Sequence, residues 1–338
     1  MKPHLQTVVA APVTDALGRP LRDLRISVME TCNYRCPYCM PEGSLDEAAL
    51  GARQRLDFAD IAQIAKAFVA QGVRKIRLTG GEPLLRRNLP ELIALLTQID
   101  GLEDLALTTN GSLLAAQAAS LRQAGLDRIT VSVDALEDAL FRRMSGGRGS
   151  LSQVLEGISA AERAGFSPIK INCVVQRGVN ESQILPLFEF FRNRGHILRF
   201  IEYMDVGSCN GWRSADVVPA AEILARLQSA YELTPLAPTA AGEVAARYGV
   251  AGGGEVGFIT SVSSPFCGDC NRARLSVDGK LFTCLFAGAG FDLKPHLRSP
   301  EKLASEIVAL WRHRTDRYSE IRHAADVRKK IEMYFIGG

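Results

Sequence analysis

Leu24-Arg25-Ile26-Ser27-Val28, followed after Met29-Glu30-Thr31 by Cys32-Asn33-Tyr34-Arg35-Cys36-Pro37-Tyr38-Cys39, sets a β-type run directly before three closely spaced thiols. The spacing Cys-x3-Cys-x2-Cys, closed by Met40-Pro41, lets the thiols converge if the loop wraps a metal centre. A mononuclear zinc site needs a fourth ligand nearby, and no Cys, His or Asp follows until Asp46. Thiolates are the usual holders of iron–sulfur clusters, and a cubane held by three of them leaves one iron open. The triad is one ligand short in the way such a cluster requires.

Working outward, the chain alternates. Residues 1–20 read as an irregular lead-in closed by the turn Gly18-Arg19-Pro20. Asp57 is placed to cap a helix with apolar residues at Ile61, Ile64, Ala65 and Phe68, ended by Gly72. Strands are expected at 75–79, 105–109, 128–133, 169–175 and 198–203, with helices near 89–98, 113–124, 152–164 and 182–194. Six β–α repeats imply parallel strands with right-handed crossovers, barrel-like or doubly wound. Five strand ends carry polar or thiol motifs: the cysteine loop, Gly80-Gly81-Glu82-Pro83, Thr109-Asn110-Gly111, Ser132-Val133-Asp134 and Glu202-Tyr203-Met204-Asp205. A barrel gathers such ends around one site. Each strand also has one polar set: Arg25 and Ser27, Arg77 and Thr79, Thr108 and Asn110, Thr130 and Ser132, Lys170 and Asn172, and Glu202. Ordinary barrels fill their interior with aliphatic side chains, so a polar lumen implies an open, partial barrel around a large charged ligand. The alternative is that these residues face solvent on a sheet edge.

Beyond Asp205 the rhythm changes. A helix over 219–231, short strand-like runs such as 257–262, and a hairpin of 273–277 with 280–284 joined by Asp278-Gly279 in a type I′ turn compose a mostly antiparallel extension. Ser299-Pro300 starts a last helix to about Arg314. The division expected is 1–205, the partial barrel, and 206–338, the region carrying the second cysteine set.

Composition bounds the rest. With 338 residues, 47% hydrophobic and 23% charged, the chain can bury a sizeable core. It has no apolar run long enough to cross a membrane, and Val8-Val9-Ala10-Ala11, cut by Pro12, lacks the form of a signal peptide. A cytoplasmic protein is expected, in which eight cysteines point to metal or redox chemistry rather than disulfides. A net charge of +3 is too small to imply nucleic-acid binding.

Cys267-x2-Cys270 with Cys284 forms a second triad, its third member brought close by the hairpin. Spacing alone leaves zinc and iron–sulfur equally open; Cys209 is the one cysteine free to complete a zinc site, whereas Cys173 falls on the core face of its strand. The first loop resembles that of the radical S-adenosylmethionine (SAM) superfamily, whose usual core is a six-stranded partial barrel and whose open iron binds SAM. Both triads together with Gly-Gly-Glu-Pro, Asn271-Arg272-Ala273-Arg274 and the closing Gly337-Gly338 resemble the GTP 3′,8-cyclase family of molybdenum-cofactor biosynthesis, from about Gly18 onward.

That resemblance implies a lyase with two [4Fe-4S] clusters. Cys32, Cys36 and Cys39 would hold the SAM cluster, with Tyr38, Gly81, Ser132 and Met204 lining the SAM site. Cys267, Cys270 and Cys284 would hold a second cluster whose open iron meets the purine. Arg25, Arg77, Thr108, Lys170, Arg272 and Arg274 match GTP-contacting positions, which suits a triphosphate, since guanidinium forks clamp phosphate oxygens bidentately. The implied reaction cleaves SAM reductively, removes the ribose C3′ hydrogen and closes C3′ onto guanine C8, giving (8S)-3′,8-cyclo-7,8-dihydroguanosine 5′-triphosphate. No general acid or base is assigned; Gly337 and Gly338 are tail candidates. Implied partners are GTP, a one-electron reductant protein and a downstream cyclic pyranopterin monophosphate synthase, with no nucleic acid or membrane, and the chain a monomer or homodimer. Rival readings are a peptide-modifying radical SAM enzyme with an auxiliary cluster, for which little spare chain exists, and a non-enzymatic zinc or iron–sulfur protein.

Overall fold

A computed structural model describes residues 12–43, 55–240, 242–322 and 330–338; residues 8–11 and Asp46 lie outside these. In chain order the described strands are β1 (Asp23–Ser27), β2 (Lys75–Thr79), β3 (Asp104–Thr109), β4 (Arg128–Ser132), β5 (Lys170–Val175), β6 (Ile197–Glu202), β7 (Leu233–Leu236), β8 (Ala246–Val250), β9 (Glu255–Ile259), β10 (Arg272–Leu275), β11 (Lys280–Phe282) and β12 (Phe291–Asp292). The helices are α1 (Phe58–Ala70), α2 (Leu89–Thr97), α3 (Leu114–Gln123), α4 (Asp138–Met144), α5 (Leu151–Arg163), α6 (Ile184–Asn193), α7 (Ala220–Gln228), α8 (Pro300–Arg312) and α9 (Met333–Ile336).

Local chemistry accounts for these elements. Asp57 caps α1, its carboxylate accepting from Asp60 N at 2.7 Å, and Ile61, Ile64, Ala65 and Phe68 bury one stripe. The same device starts α8, where Ser299 accepts from Lys302 N and Pro300 occupies the first turn. The helix stripes pack on the sheet's apolar face, joining Ile26, Ile76, Leu107, Val131, Ile171 and Phe200 in one buried core. Each such side chain stabilises the fold by roughly 1.5–3 kcal/mol.

All twelve strands join one mixed sheet, ordered β12-β11-β10-β1-β2-β3-β4-β5-β6-β9-β8-β7. β1 to β6 pair in parallel in chain order. The extension does not simply append an antiparallel unit: β10 pairs in parallel with β1, and β9 in parallel with β6, so later strands extend the parallel run at both sides. Only beyond β10 and β9 does the pairing turn antiparallel.

The hairpin turn is corrected as well. Type I′ needs positive φ at both central residues, but Gly279 alone of the pair has it, at 86°. Gly279 N donates to Ser276 O at 3.1 Å and Ser276 N to Lys280 O at 2.9 Å, which is a type I turn closed by a glycine bulge. Asp278 stays in the ordinary region and accepts from Ser276 Oγ at 2.5 Å.

Candidate active site

The polar face of the sheet lines a cavity of about 330 Å³ bordered by β1 to β6, β9, β10 and the loops beyond their ends. Parallel register places the lumen set side by side: Arg274 beside Arg25, Arg25 beside Arg77, Thr108 beside Thr130, Ser132 beside Asn172.

At one end lies the first triad. Gly81 N donates to Met29 O at 2.6 Å and Glu82 N to Thr31 O at 2.9 Å, so the Gly-Gly-Glu-Pro turn lies flat on the segment before Cys32. A Cβ at Gly81 would collide with Thr31 O, which is why the position is glycine. Glu82 is fully buried and ties the ends of β2 and β3, accepting from Leu84 N at 3.0 Å, Thr109 Oγ1 at 2.7 Å and Asn110 N at 2.7 Å. Burial lifts its carboxyl to about 7 against those bonds. Cys32, Cys36 and Cys39 are free, half-buried thiols on the cavity wall. Tyr34 N at 3.3 Å and Asn110 Nδ2 at 3.7 Å donate to Cys32 Sγ, a donor set of the sort that surrounds cluster sulfurs. Burial pushes all three thiols up, Cys32 to about 11, so ligation would release protons. Tyr38 OH donates to Asp134 Oδ2 at 2.7 Å, and Tyr38, Gly81, Ser132 and Met204 share the cavity wall with the triad.

The second triad faces the same cavity. Cys267, Cys270 and Cys284 are also free. Arg272 Nη2 donates to Cys270 Sγ at 3.3 Å and Phe286 N to Cys284 Sγ at 3.5 Å. Burial raises the Cys270 thiol, but Arg272 and Arg314 outweigh it and bring it to about 6. These sulfur contacts fit each triad to a cluster. Among the described residues no group of three or more His, Cys, Asp and Glu closes on a single metal ion.

Between the triads stands a crowd of cations. Arg25, Arg77, Arg199, Arg272 and Arg274 all line the cavity, with Lys75 beside them. Arg77 Nη1 donates to Thr108 Oγ1 at 2.9 Å and Thr130 Oγ1 at 3.1 Å, which fixes its plane. Burial, then the charges of Arg274 and Arg272, holds Arg25 well below the usual guanidinium value. Arg274 falls to about 10 through burial and Arg272, and Arg199 to about 9 through burial and Arg77. Arg25 Nε, Arg199 Nε and Asn172 Oδ1 are buried without a hydrogen-bond partner. Mutually repelling guanidiniums in one wall, two of them with an unpaired Nε, are costly unless an anion offsets them; a polyphosphate has the charge and acceptors to do so. The closing glycines enter here too: Arg274 Nη1 donates to Gly337 O, and Thr79 Oγ1 to Gly338 O at 3.4 Å.

Two expectations need correction. Glu202 borders the cavity at the end of β6, but it is not the residue that shares the polar strand face. Asn172 pairs with Arg199 and Val175 with Glu202, so Arg199 shares the polar face, while the Glu202 carboxylate is spent on Ala220 N, Val262 N and Ser263 N, each at 2.8 Å. Lys170 lies on the same strand face as Asn172, beside Thr130, and burial, with the charges of Arg199 and Arg128, lowers its ammonium to about 8. Cys209 lies by the first triad rather than the second, its Sγ 4.0 Å from Cys39 O and donating to Glu332 Oε2 at 3.0 Å. Cys173 is buried in the core, as its alternation indicated. Sequence reasoning missed Lys75, which falls on the same strand face as Arg77 by alternation, and Arg199, whose face depends on the register of β6 with β5.

The radical SAM superfamily model matches residues 26–191, and the molybdenum cofactor synthesis C model matches residues 196–320. A GTP 3′,8-cyclase of Xanthomonas campestris pv. campestris (strain B100) is 61% identical, the match covering 99% of this chain and 100% of that protein. A GTP 3′,8-cyclase of Acidothermus cellulolyticus is 54% identical over 97% of this chain and 99% of its own, and one of Staphylococcus aureus (strain MRSA252) 47% identical over 96% and 99%. Among solved structures, Streptococcus suis SuiB bound to S-adenosylmethionine has a TM-score of 0.63 at 14% identity, covering 90% of this chain and 68% of that one, a likeness of fold.

Proposed function

The chain belongs to the GTP 3′,8-cyclase family, and from that premise we propose that it converts GTP to (8S)-3′,8-cyclo-7,8-dihydroguanosine 5′-triphosphate in molybdenum-cofactor biosynthesis, with SAM and iron–sulfur clusters as cofactors. The observation that carries this reading is one cavity walled by two thiol triads with a cluster of buried guanidiniums between them, two of which, Arg25 and Arg199, keep an unpartnered Nε. Cys32, Cys36 and Cys39 would hold the cluster that, with SAM, supplies the 5′-deoxyadenosyl radical chemistry needed at the ribose C3′ hydrogen.

The remaining work belongs to the chain's side chains. Arg25, Arg77, Arg199, Arg272 and Arg274 clamp the triphosphate, with Thr108 and Thr130 holding Arg77 in plane. Lys170, on the same strand face as Asn172, offers a further cation to the triphosphate. Cys267, Cys270 and Cys284 would hold a second [4Fe-4S] cluster, whose open iron would serve the purine, and Tyr38, Gly81, Ser132 and Met204 would line the SAM end. The wall orients ribose and base relative to each other and excludes water, which is the protein's share in a radical ring closure. Gly337 and Gly338 reach into the site and help close it.

The parallel run from β1 to β6 supports a six-stranded partial barrel within residues 1–205, with 206–338 providing the second triad. The reading also calls for a one-electron reductant protein and a cytoplasmic setting, with a cyclic pyranopterin monophosphate synthase consuming the product; no described helix is long and apolar enough to cross a membrane. Anaerobic incubation with SAM, a reductant and GTP, followed by mass analysis of the nucleotide, tests it. A cyclised triphosphate is expected; SAM cleavage with GTP unchanged would refute the substrate and leave only the radical SAM chemistry.

A further inference from the structure

The loop between β9 and β10 carries two cysteines of the second triad, and apart from one short turn at Cys267–Asp269 it has no repetitive structure of its own. Its carbonyls therefore need partners from elsewhere. They find them in a buried trio assembled from the two ends of the described chain. Arg19 Nε pairs with Asp15 Oδ2 at 2.6 Å, and Arg314 Nη1 with the same oxygen at 3.1 Å. Asp15 Oδ1 also accepts Arg19 N at 2.9 Å, closing a tight turn. Trp311 Nε1 donates to Arg19 O at 3.1 Å, and the Arg314 guanidinium stacks 4.5 Å over the Trp311 ring, so neither arginine is free to swing.

What the two forks do with their other donors is specific. Arg19 Nη1 donates to Cys267 O and to Asp316 O, each at 2.8 Å. Arg314 Nη1 donates to Cys270 O at 2.7 Å, and its Nε to Thr283 O, the residue before Cys284, at 3.1 Å. Thr283 Oγ1 is held in turn by Asp316 Oδ2 at 2.6 Å. One carbonyl at or next to each of the three cysteines is thus gripped by one ion network. We infer that Asp15, Arg19 and Arg314 are positioning residues that set the backbone of all three cysteines before any cluster arrives, and that the second triad's geometry depends on Arg314 as the shared clamp.

The inference rests on the cluster proposed above for this triad, yet part of its test does not. In the metal-free full chain, hydrogen exchange of Arg314→Gln should be about tenfold or more faster at amides of residues 268–271 and 285–286, from the loss of charged bonds to two carbonyls, with residues 34–40 unchanged. Arg314→Lys, which retains charge but not the fork, should recover part of the protection. After anaerobic reconstitution, the paramagnetic spectrum of the second cluster, read with Cys32, Cys36 and Cys39 replaced by Ala, should broaden or vanish in Arg314→Gln and return partly in Arg314→Lys. Parent-like exchange at 268–271 together with a parent-like spectrum would overturn the inference, as would equal loss of protection in both cysteine loops, which marks a general core role. Should Arg314→Gln not fold, Arg314→Lys alone decides by the same local comparison. A parent chain that fails to cyclise GTP counts against the function proposed above and leaves the exchange result to judge the clamp.

Discussion

Arg274→Met is the most discriminating change in the cavity wall, because it should separate binding from folding. Arg274 is 4% exposed, and burial followed by the charge of Arg272 brings its guanidinium from 12.5 to about 10. At about 1.4 kcal/mol per pH unit, that fall of about 2.5 costs the ligand-free protein about 3 kcal/mol. The bond from Arg274 to Gly337 O returns about 1.5–3 kcal/mol. Methionine keeps much of the side-chain bulk and removes both contributions, so the ligand-free melting temperature should hold or rise. GTP affinity should instead fall by about 1.5–3 kcal/mol, roughly 10- to 150-fold in Kd, if the guanidinium meets phosphate. Titration calorimetry with GTP and with guanosine, alongside thermal melts, reads all three quantities. The GTP loss should exceed the guanosine loss. A melting temperature lowered in step with affinity, or equal losses for GTP and guanosine, would show that Arg274 serves the fold or the tail rather than the triphosphate.

The anaerobic parent should carry roughly eight irons per chain from two cubanes; replacing Cys32, Cys36 and Cys39 by Ala should halve the iron and abolish SAM cleavage, whereas zinc in the Cys267 set would refute the second cluster alone. Deleting Gly337 and Gly338 removes the acceptors of Arg274 and Thr79 and should suppress cyclisation while sparing iron content; full activity would make the tail a bystander. Glu82, raised by burial from 4.5 to about 7, favours its neutral form in the fold. Its contribution is therefore complete below pH 4.5 and is lost as pH rises through about 7, by about 3 kcal/mol at most. Denaturant titrations from pH 4 to 8 should show this decline in the parent and a flatter profile in Glu82→Gln, and parallel profiles would argue against it.

Much of this was written in local patterns. Asp57 before Ile61, Ile64 and Phe68 specifies a capped amphipathic helix in any context, and the structure starts α1 there. The thiol spacing and the strand-end positions of Gly81, Ser132 and Met204 likewise sufficed to nominate one site, because parallel β–α units place every strand's C-terminal end on the same side. Alternation also assigned Arg25, Arg77, Thr108 and Asn172 to one face, since side chains on a strand point to opposite faces in turn. What alternation could not supply was parity across strands. Whether Arg199 or Glu202 faces the lumen depends on the register of β6 with β5, and a one-residue slip inverts every side chain. The type I turn at Asp278-Gly279 depended on the two-strand register in the same way.

Contacts between distant parts of the chain were beyond reach for a different reason. The parallel joins of β10 to β1 and β9 to β6, and the grip of Arg19 and Arg314 on the second cysteine loop, bring together segments that are not neighbours in the chain. Closing such loops costs entropy that no local preference repays. Burial of the whole sheet repays it, so those pairings exist only once the tertiary structure has formed.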